Sequence, residues 1–262
     1  MTTRRTVLKT GLATLGDLGV ASSATLAGLA GAAAHAEGGH VHTMAGGREI
    51  TVHPVSHASF VLETPGGVLY VDPVGGGDAY ADFPEADLVL LTHEHGDHYD
   101  VPTLGGIVRE TTRLVTNPAV FALLPDALKG KAEAIANGES TVALDIGIEA
   151  IPAYNLAEDR LKFHPKGRDN GYVPSIDGGR VYVAGDTEAV PEMRALENID
   201  VAFVPMNLPY TMGIEQAAEG VVEFAPSVVY PYHCNDSDIE AFASLVGESG
   251  KPIDVAMGAW YA

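Results

Sequence analysis

A cluster of metal-binding side chains directly after a short apolar run constrains this chain more than any other stretch. Residues 87–91, Asp-Leu-Val-Leu-Leu, have the length and composition of a buried strand. Residues 91–100 then read Leu-Thr-His-Glu-His-Gly-Asp-His-Tyr-Asp. On an extended backbone, His93 and His95 point to the same side and can bind one ion, while Asp97 and His98 can face a second. A merely polar surface loop is the alternative, but it does not account for four metal-type ligands at this spacing.

The overall composition is that of a globular chain. Of its 262 residues, 46% are hydrophobic and 19% are charged, and no stretch after the N-terminus is apolar enough to predict a membrane span. The formal net charge of −20 argues against nucleic acid and anionic membranes as partners, because both select basic patches. We therefore expect a small-molecule substrate. The sequence does not predict the oligomeric state.

The chain has a single cysteine, Cys234, which excludes a disulfide within it. We expect this residue to be buried and inert. A soft metal ligand or a thiol nucleophile is the alternative.

The first residues are similar to a twin-arginine export signal. Residues 3–9 read Thr-Arg-Arg-Thr-Val-Leu-Lys, a stretch rich in Ala, Gly and Leu follows, and residues 34–36 read Ala-His-Ala. We predict a signal peptide over residues 1–36 and hence a periplasmic or extracellular protein. A disordered tail with two chance arginines is the alternative, and the charge of Asp17 within the apolar region favours it. We expect residues 37–47 to be a flexible lead-in and residues 48–262 to form one catalytic domain.

The rest of the chain alternates short apolar runs with helical patterns, and it does so twice. Helices are predicted within residues 118–137, 191–197 and 214–222. Asp177-Gly178-Gly179 indicates a hairpin turn. The predicted strands cover residues 49–55, 59–62, 68–71, 87–91, 113–116, 141–144, 148–153, 172–176, 180–184, 201–204 and 227–230. Two packed sheets covered by helices would bring the strand ends to one edge.

Three later residues can complete the metal site. His164 and His233 are the only histidines after His98, and both lie where loops are predicted. A site of two metals that starts with the motif still lacks about one imidazole per ion. Asp186 follows a predicted strand and can bridge two metals, although capping a helix is an alternative role.

These motifs together resemble the metallo-β-lactamase superfamily, and within it the hydrolases similar to L-ascorbate-6-phosphate lactonase. The resemblance covers residues 48 to about 235. It rests on Ser56-His57-Ala58-Ser59, Asp72-Pro73, the motif of residues 92–100, Gly185-Asp186-Thr187, Tyr210-Thr211-Met212 and Pro231-x-His233. It implies an α/β fold, a four-layer αβ/βα sandwich of two mixed β-sheets flanked by helices, with metals at one edge of the sheets. The loop of residues 205–209 and Cys234 differ from the usual pattern of the family.

The resemblance also implies a role for each site residue. His93, His95 and His164 are implied as ligands of a first metal, Asp97, His98 and His233 as ligands of a second, and Asp186 as the bridge. Related di-iron flavoproteins have Glu in place of His95, so His95 favours hydrolytic metals over redox iron. We expect two divalent ions, zinc first, with manganese or iron as alternatives.

Further residues are expected around the ligands. Asp97 is the candidate catalytic residue, because it can orient the attacking hydroxide and accept a proton. Asp72 and Asp100 are candidates for holding the histidine rings, unless they only cap turns. The candidates for the substrate pocket are His57, Tyr154, Asn155 and Tyr210.

The predicted reaction is hydrolysis of a lactone or other ester by a metal-bound hydroxide. Two alternatives stay open. One is a phosphodiesterase, for which Lys162, Lys166 and Arg168 near His164 would meet the phosphate. The other is a non-catalytic metal-binding or sensing protein with the same fold.

Overall fold

Two β-sheets of seven strands each form the centre of the computed structural model, which describes residues 39–261. The predicted export signal lies outside these described residues. The first sheet consists, in spatial order, of β1 (His40–Thr43), β2 (Glu49–Ser56), β3 (Ser59–Thr64), β4 (Gly67–Val71), β5 (Leu88–Leu91), β6 (Arg113–Thr116) and β7 (Ala132–Ala134). The second consists, from one edge to the other, of β8 (Ser140–Ala143), β9 (Ile146–Ala153), β10 (Asp169–Ile176), β11 (Gly179–Val183), β12 (Val201–Pro205), β13 (Val228–Tyr232) and β14 (Asp254–Val255).

The two halves of the chain repeat one topology. In each sheet the first four strands pair antiparallel and the remaining pairs, from β4 to β7 and from β11 to β14, are parallel. The predicted hairpin between β10 and β11 is confirmed: Asp177 and Gly178 both have positive φ, as a type I′ turn requires.

Helices cover the outer faces of both sheets. They are α1 (Val101–Ile107), α2 (Pro118–Leu123), α3 (Asp126–Lys129), α4 (Pro191–Arg194), α5 (Ile214–Phe224) and α6 (Ile239–Glu248), with a 3₁₀ turn at Gly77–Tyr80. One apolar core, with Phe60 stacked on Phe203 at a centroid distance of 4.0 Å, lies between the sheets. Two further cores lie under the helices, around Val89 with Leu104 and around Val204 with Phe242. The four-layer α/β sandwich predicted from the sequence is therefore confirmed.

One prediction about local structure is wrong. The lead-in predicted to be flexible contains β1, which pairs with β2 and places His40 and His42 within 3.0 and 2.6 Å of the Tyr230 hydroxyl. The strand was not predicted because glycines flank it on both sides. Its alternate side chains are partly buried. The helices predicted within residues 118–137 are α2 and α3, and the edge strand β7 that follows them was not predicted.

The carboxyl ends of β4, β5, β11 and β13 carry the polar residues singled out from the sequence. Tyr172 in the second sheet donates its hydroxyl proton to the Leu91 carbonyl in the first at 2.9 Å, which ties the sheets together beside the motif. No helix among residues 39–261 is long and apolar enough to cross a membrane.

Candidate metal centre

The first group of possible ligands comes from β5 and the loop between β9 and β10. His93 is fully buried after β5, and its Nε2 lies 3.1 Å from Nδ1 of His95, so the two imidazoles do point to one place. His164 Nε2 lies 3.4 Å from Oδ2 of Asp186. The ligand atoms of His93, His95, His164 and Asp186 all lie within 4.8 Å of one another.

A second group shares Asp186 with the first. His98 Nε2 lies 3.3 Å from Oδ1 of Asp186, and His233 Nε2 lies 3.3 Å from Oδ2. Asp97 borders this group from the solvent side, with Oδ2 3.4 Å from His233 Nε2. All seven residues that the resemblance implied as ligands are thus brought together, with Asp186 between the two groups of histidines.

The side-chain nitrogen and oxygen atoms of the site are better placed to bind a metal than to hydrogen-bond to one another. Among the described residues, His98 Nε2, His164 Nε2, His233 Nε2 and Asp186 Oδ1 are buried and have no hydrogen-bond partner. Buried polar atoms without partners are costly, and imidazole nitrogens with a shared carboxylate are typical zinc ligands. The residues present therefore suit two bound ions.

Electrostatics favour the protonation states that bind metal at the first group. Burial lowers the pKa of His93 well below its usual value, and nearby His98 adds to this shift, so the ring is neutral. Burial alone would raise the pKa of Asp186, but His233 and His98 outweigh it and hold the pKa well below its usual value. Neutral imidazole and charged carboxylate are the forms that coordinate metals.

Two buried carboxylates hold histidine rings in place. Asp72, predicted for this role, accepts a hydrogen bond from His98 Nδ1 at 2.7 Å and from the Thr92 amide at 2.8 Å. Asp169, which the sequence reading missed, lies 3.0 Å from His164 Nδ1. Each of these bonds leaves Nε2 of the histidine facing Asp186.

Asp100 does not share this role. Its carboxylate accepts the backbone N–H and the hydroxyl of Thr103, so it caps the N-terminus of α1. The prediction that it holds a metal-binding histidine is corrected, and the capping role, the alternative named for it, is the one the structure shows. The sequence contains a signal for this capping role, because an aspartate precedes Val101-Pro102 at the start of a helix.

Asp186 depends on the backbone next to it. Gly185 has a φ of +64°, and a side chain there would meet the Asn170 carbonyl at 3.0 Å and Thr92 Cβ at 3.1 Å. The close approach of these segments places Asp186 against the histidines of the first sheet.

Cys234, by contrast, is buried among apolar residues, and burial raises the pKa of its thiol, which does not suit a nucleophile.

A cavity of about 370 Å³ opens over the two groups. Of the predicted pocket residues, His57 and Tyr210 line it together with Asp97. Tyr154 and Asn155 do not, which corrects that prediction: the Tyr154 hydroxyl bonds Glu192 at 2.9 Å, and Asn155 Nδ2 donates to the Tyr210 carbonyl at 2.9 Å from behind the wall.

Three residues of the cavity wall were missed from the sequence, namely Phe163, Asn207 and Asn235. Phe163 directly precedes His164, and Asn235 lies two residues after His233, which was the available signal for these two. Asn207 lies in the loop after β12.

Comparison with known proteins agrees with this geometry. A family described as the beta-lactamase superfamily domain matches residues 51–233. The chain belongs to the metallo-β-lactamase superfamily. It is 31% identical over 219 residues to a UPF0173 metal-dependent hydrolase of Pyrococcus furiosus, which covers 78% of this chain and 95% of that protein.

Solved structures of this superfamily show the same fold. A crystal structure from Parabacteroides distasonis, described as a metal-dependent hydrolase, has 38% identity and a TM-score of 0.76 and covers 84% of this chain and 97% of that one. Igni18, a metallo hydrolase of Ignicoccus hospitalis, has 27% identity and a TM-score of 0.66, covering 79% and 94%. This superfamily member is thus a metal-dependent hydrolase. These relatives are not named as lactonases, so the finer resemblance stays a prediction.

Proposed function

We propose that this hydrolase uses two divalent metals, zinc first, to open a lactone or another neutral ester. The observation that carries the proposal is the position of Asp186, whose carboxylate lies within 3.9 Å of imidazole nitrogens from both groups. Oδ2 faces His93, His164 and His233, and Oδ1 faces His98. A carboxylate shared by two sets of imidazoles is the arrangement expected of a two-metal hydrolase.

The chemistry divides between the metals and the protein. When bound, the metals lower the pKa of a water toward neutrality and polarise the attacked carbonyl. Asp97 is the one carboxylate of the site whose side chain is half-exposed in the cavity. Burial alone would raise its pKa, but the nearby imidazoles of His233 and His57 outweigh burial and lower it, so Asp97 is charged. It can accept a hydrogen bond from the attacking water and then its proton.

The cavity wall favours a neutral substrate. Phe163 and Tyr210 meet edge to face with ring centroids 5.0 Å apart, and Asn207 and Asn235 supply amide groups. No lysine or arginine is among the described residues that line the cavity. An apolar acyl group can pack on the rings, while the amides can orient a carbonyl.

Two of the three basic residues near His164 form ion pairs with carboxylates outside the cavity. Lys166 binds Glu192 at 3.0 Å, and Arg168 binds Asp169 at 2.6 Å and Glu94 at 3.0 Å. Lys162 differs, since its ammonium group lies 4.9 Å from the centroid of the Phe163 ring. This one cation beside the wall keeps a phosphodiester as the second candidate substrate.

The test combines metal analysis with a substrate panel. The full chain is stripped with a chelator, reloaded with zinc, manganese or iron, and assayed on a γ-lactone, para-nitrophenyl acetate and bis(para-nitrophenyl) phosphate. We expect two metals per chain and faster turnover of the neutral esters than of the diester. Asp186→Asn is expected to lower metal content and to reduce turnover on the order of 100-fold. Asp254→Asn in β14 is the control.

Two results would overturn the proposal. One is full metal content and unchanged turnover in Asp186→Asn. The other is a preference for the phosphodiester over both neutral esters, which would transfer the assignment to the second candidate.

We also propose export by the twin-arginine route, with cleavage after Ala36. Supporting it are Arg4-Arg5 and the Ala34-His35-Ala36 sequence. Fusion of residues 1–40 to a reporter tests it: replacing both arginines with lysine should abolish export, and N-terminal sequencing of the exported product should begin at Glu37. Export that persists in the lysine variant would contradict the route.

A further inference from the structure

The segment Trp260-Tyr261 holds two loops of the site by hydrogen bonds. The His57 amide donates to the Trp260 carbonyl at 3.0 Å. The Tyr261 hydroxyl accepts the amides of Cys234 and Asn235 at 2.8 and 2.7 Å, and it lies 2.8 Å from Nδ1 of His57. One phenol therefore touches both the turn that carries His57 and the loop that follows His233.

The hydrogen bonds around this hydroxyl determine which ring nitrogen of His57 carries the proton. A phenol has one proton to donate, and its oxygen can accept through its lone pairs. Two backbone N–H groups already occupy the oxygen as acceptor, so its proton is free for a neighbouring acceptor. Nδ1 of His57 at 2.8 Å is a stronger acceptor than the thiol of Cys234, which also contacts this hydroxyl. Burial raises the pKa of Tyr261 to about 12, which keeps that proton in place at neutral pH. Nδ1 of His57 is then an acceptor, and the ring proton lies on Nε2.

The other end of the His57 ring faces the site. Nε2 lies 3.5 Å from Oδ2 of Asp97, and the ring centroid lies 3.8 Å from that of His233. The ligand atoms of His57, Asp97 and His233 lie close enough together to suit a metal ion. A protonated Nε2 has no lone pair for a metal, however, so in this tautomer His57 does not serve as a ligand beside Asp97 and His233.

We propose that Tyr261 is a positioning residue of the hydrolase: its hydroxyl fixes His57 as the Nε2-protonated tautomer, which makes His57 a hydrogen-bond donor to Asp97 and not a metal ligand. Asp97 is thereby held toward the cavity with one oxygen oriented by His57. The catalytic consequence rests on the proposed function, because it assumes that Asp97 handles the attacking water. The tautomer itself does not depend on it.

The first measurement leaves Tyr261 unchanged. Nitrogen NMR of the full chain with ¹⁵N-labelled histidine, before and after loading with zinc, reports which nitrogen of each ring carries the proton. The signals of His57 are assigned by their loss in His57→Gln. We expect His57 to be protonated on Nε2 in both states. Protonation on Nδ1, or a shift of the His57 signals to metal-bound values on loading, would overturn the proposal.

The second measurement tests Tyr261 itself. Tyr261→Phe keeps the ring and removes the hydroxyl, so we expect His57 to become a mixture of tautomers. Turnover should fall about tenfold in kcat, with KM and metal content close to those of the wild type. The matched control is Tyr182→Phe, which removes a buried hydroxyl that has no partner among the described residues and should change none of these readouts.

The two measurements separate this proposal from the proposed function. If the protein opens no ester, the tautomer of His57 and its change in Tyr261→Phe still decide the positioning role. An unchanged tautomer in Tyr261→Phe would overturn that role even in an active hydrolase. So would loss of one metal per chain in His57→Gln, since it would show that His57 is a ligand.

Discussion

Oδ2 of Asp72 lies 2.7 Å from Nδ1 of His98, and neither side chain reaches solvent. Burial alone would lower the pKa of His98, but the carboxylates of Asp186 and Asp72 outweigh burial and hold it well above its usual value. The ring is therefore clamped between two carboxylates, one that orients it and one that shares its proposed metal. Such an outer carboxylate fixes the tautomer of a metal-binding histidine and raises its basicity.

Asp72→Asn should weaken metal binding at the second group. Asparagine can still accept the Thr92 amide through its oxygen, but its NH₂ group cannot accept the proton of His98 Nδ1. We expect metal affinity to fall about 10- to 100-fold, measured by competition with a chromophoric chelator. Asp254→Asn serves as the control, and an unchanged affinity in Asp72→Asn would show that Asp72 has only a structural role.

Phe163→Ala should change substrate binding more than turnover. The Phe163 ring forms one wall of the cavity and packs on Tyr210, while the neighbouring candidate ligand His164 is held separately by Asp169. We expect KM for esters with apolar acyl groups to rise about tenfold and kcat to change little, since removing an aromatic wall costs about 1–2 kcal/mol of contact. Steady-state kinetics over acyl chains of increasing length measures this. Leu123→Ala on α2 is an exposed apolar control, and equal effects of both variants would exclude a specific wall.

The strands and the candidate ligands were predictable because their signals are local. Apolar runs such as residues 201–204 and the spacing of His93, His95 and His98 can be read within a few residues. The repeat of strands and helices in two halves likewise predicted two sheets. Asp186 and His233 could be placed at strand ends, although their distance from each other could not.

The remaining features depend on contacts between distant segments. Tyr261 lies 204 residues after His57, and no sequence pattern near either residue predicts the hydrogen bond between them. Asn207 enters the cavity because its loop packs beside that of Asn235. Strand β1 was missed for the same reason: the partner that stabilises His40 and His42 is Tyr230, in the other sheet.

Gly171→Ala should destabilise the second sheet. A methyl group at this position of β10 would meet the carbonyl oxygens of Ala184 and Val183 at 2.7 and 2.8 Å, and backbone atoms cannot move aside cheaply. We expect a loss of about 1–3 kcal/mol in the free energy of unfolding, measured by urea denaturation. Gly147→Ala in neighbouring β9 has open space around its added carbon and is the control. Equal midpoints for the two variants would contradict this account.

The pairing of β1 should depend on pH through His42. Burial lowers the pKa of His42 below its usual value of 6.5, and His40 adds to the shift. Between the folded pKa and 6.5 the unfolded chain binds more protons than the folded one, so stability rises with pH across that window. The contribution of His42 is complete above about pH 6.5 and is lost as the pH falls through the folded pKa. Acidification should therefore release the neutral imidazole from Tyr230.

Amide hydrogen exchange of β1 measures this release apart from the metal site. After correction for intrinsic rates, protection of residues 40–43 should fall between about pH 7.5 and about pH 5.5, more than that of central strand β12. His42→Gln should remove most of the pH dependence of β1, because glutamine keeps a polar group there without titrating. His53→Gln in β2, where the imidazole binds Glu63 at 2.9 Å, is the matched control and should retain it. Equal protection of β1 at both pH values would show that His42 does not control the pairing.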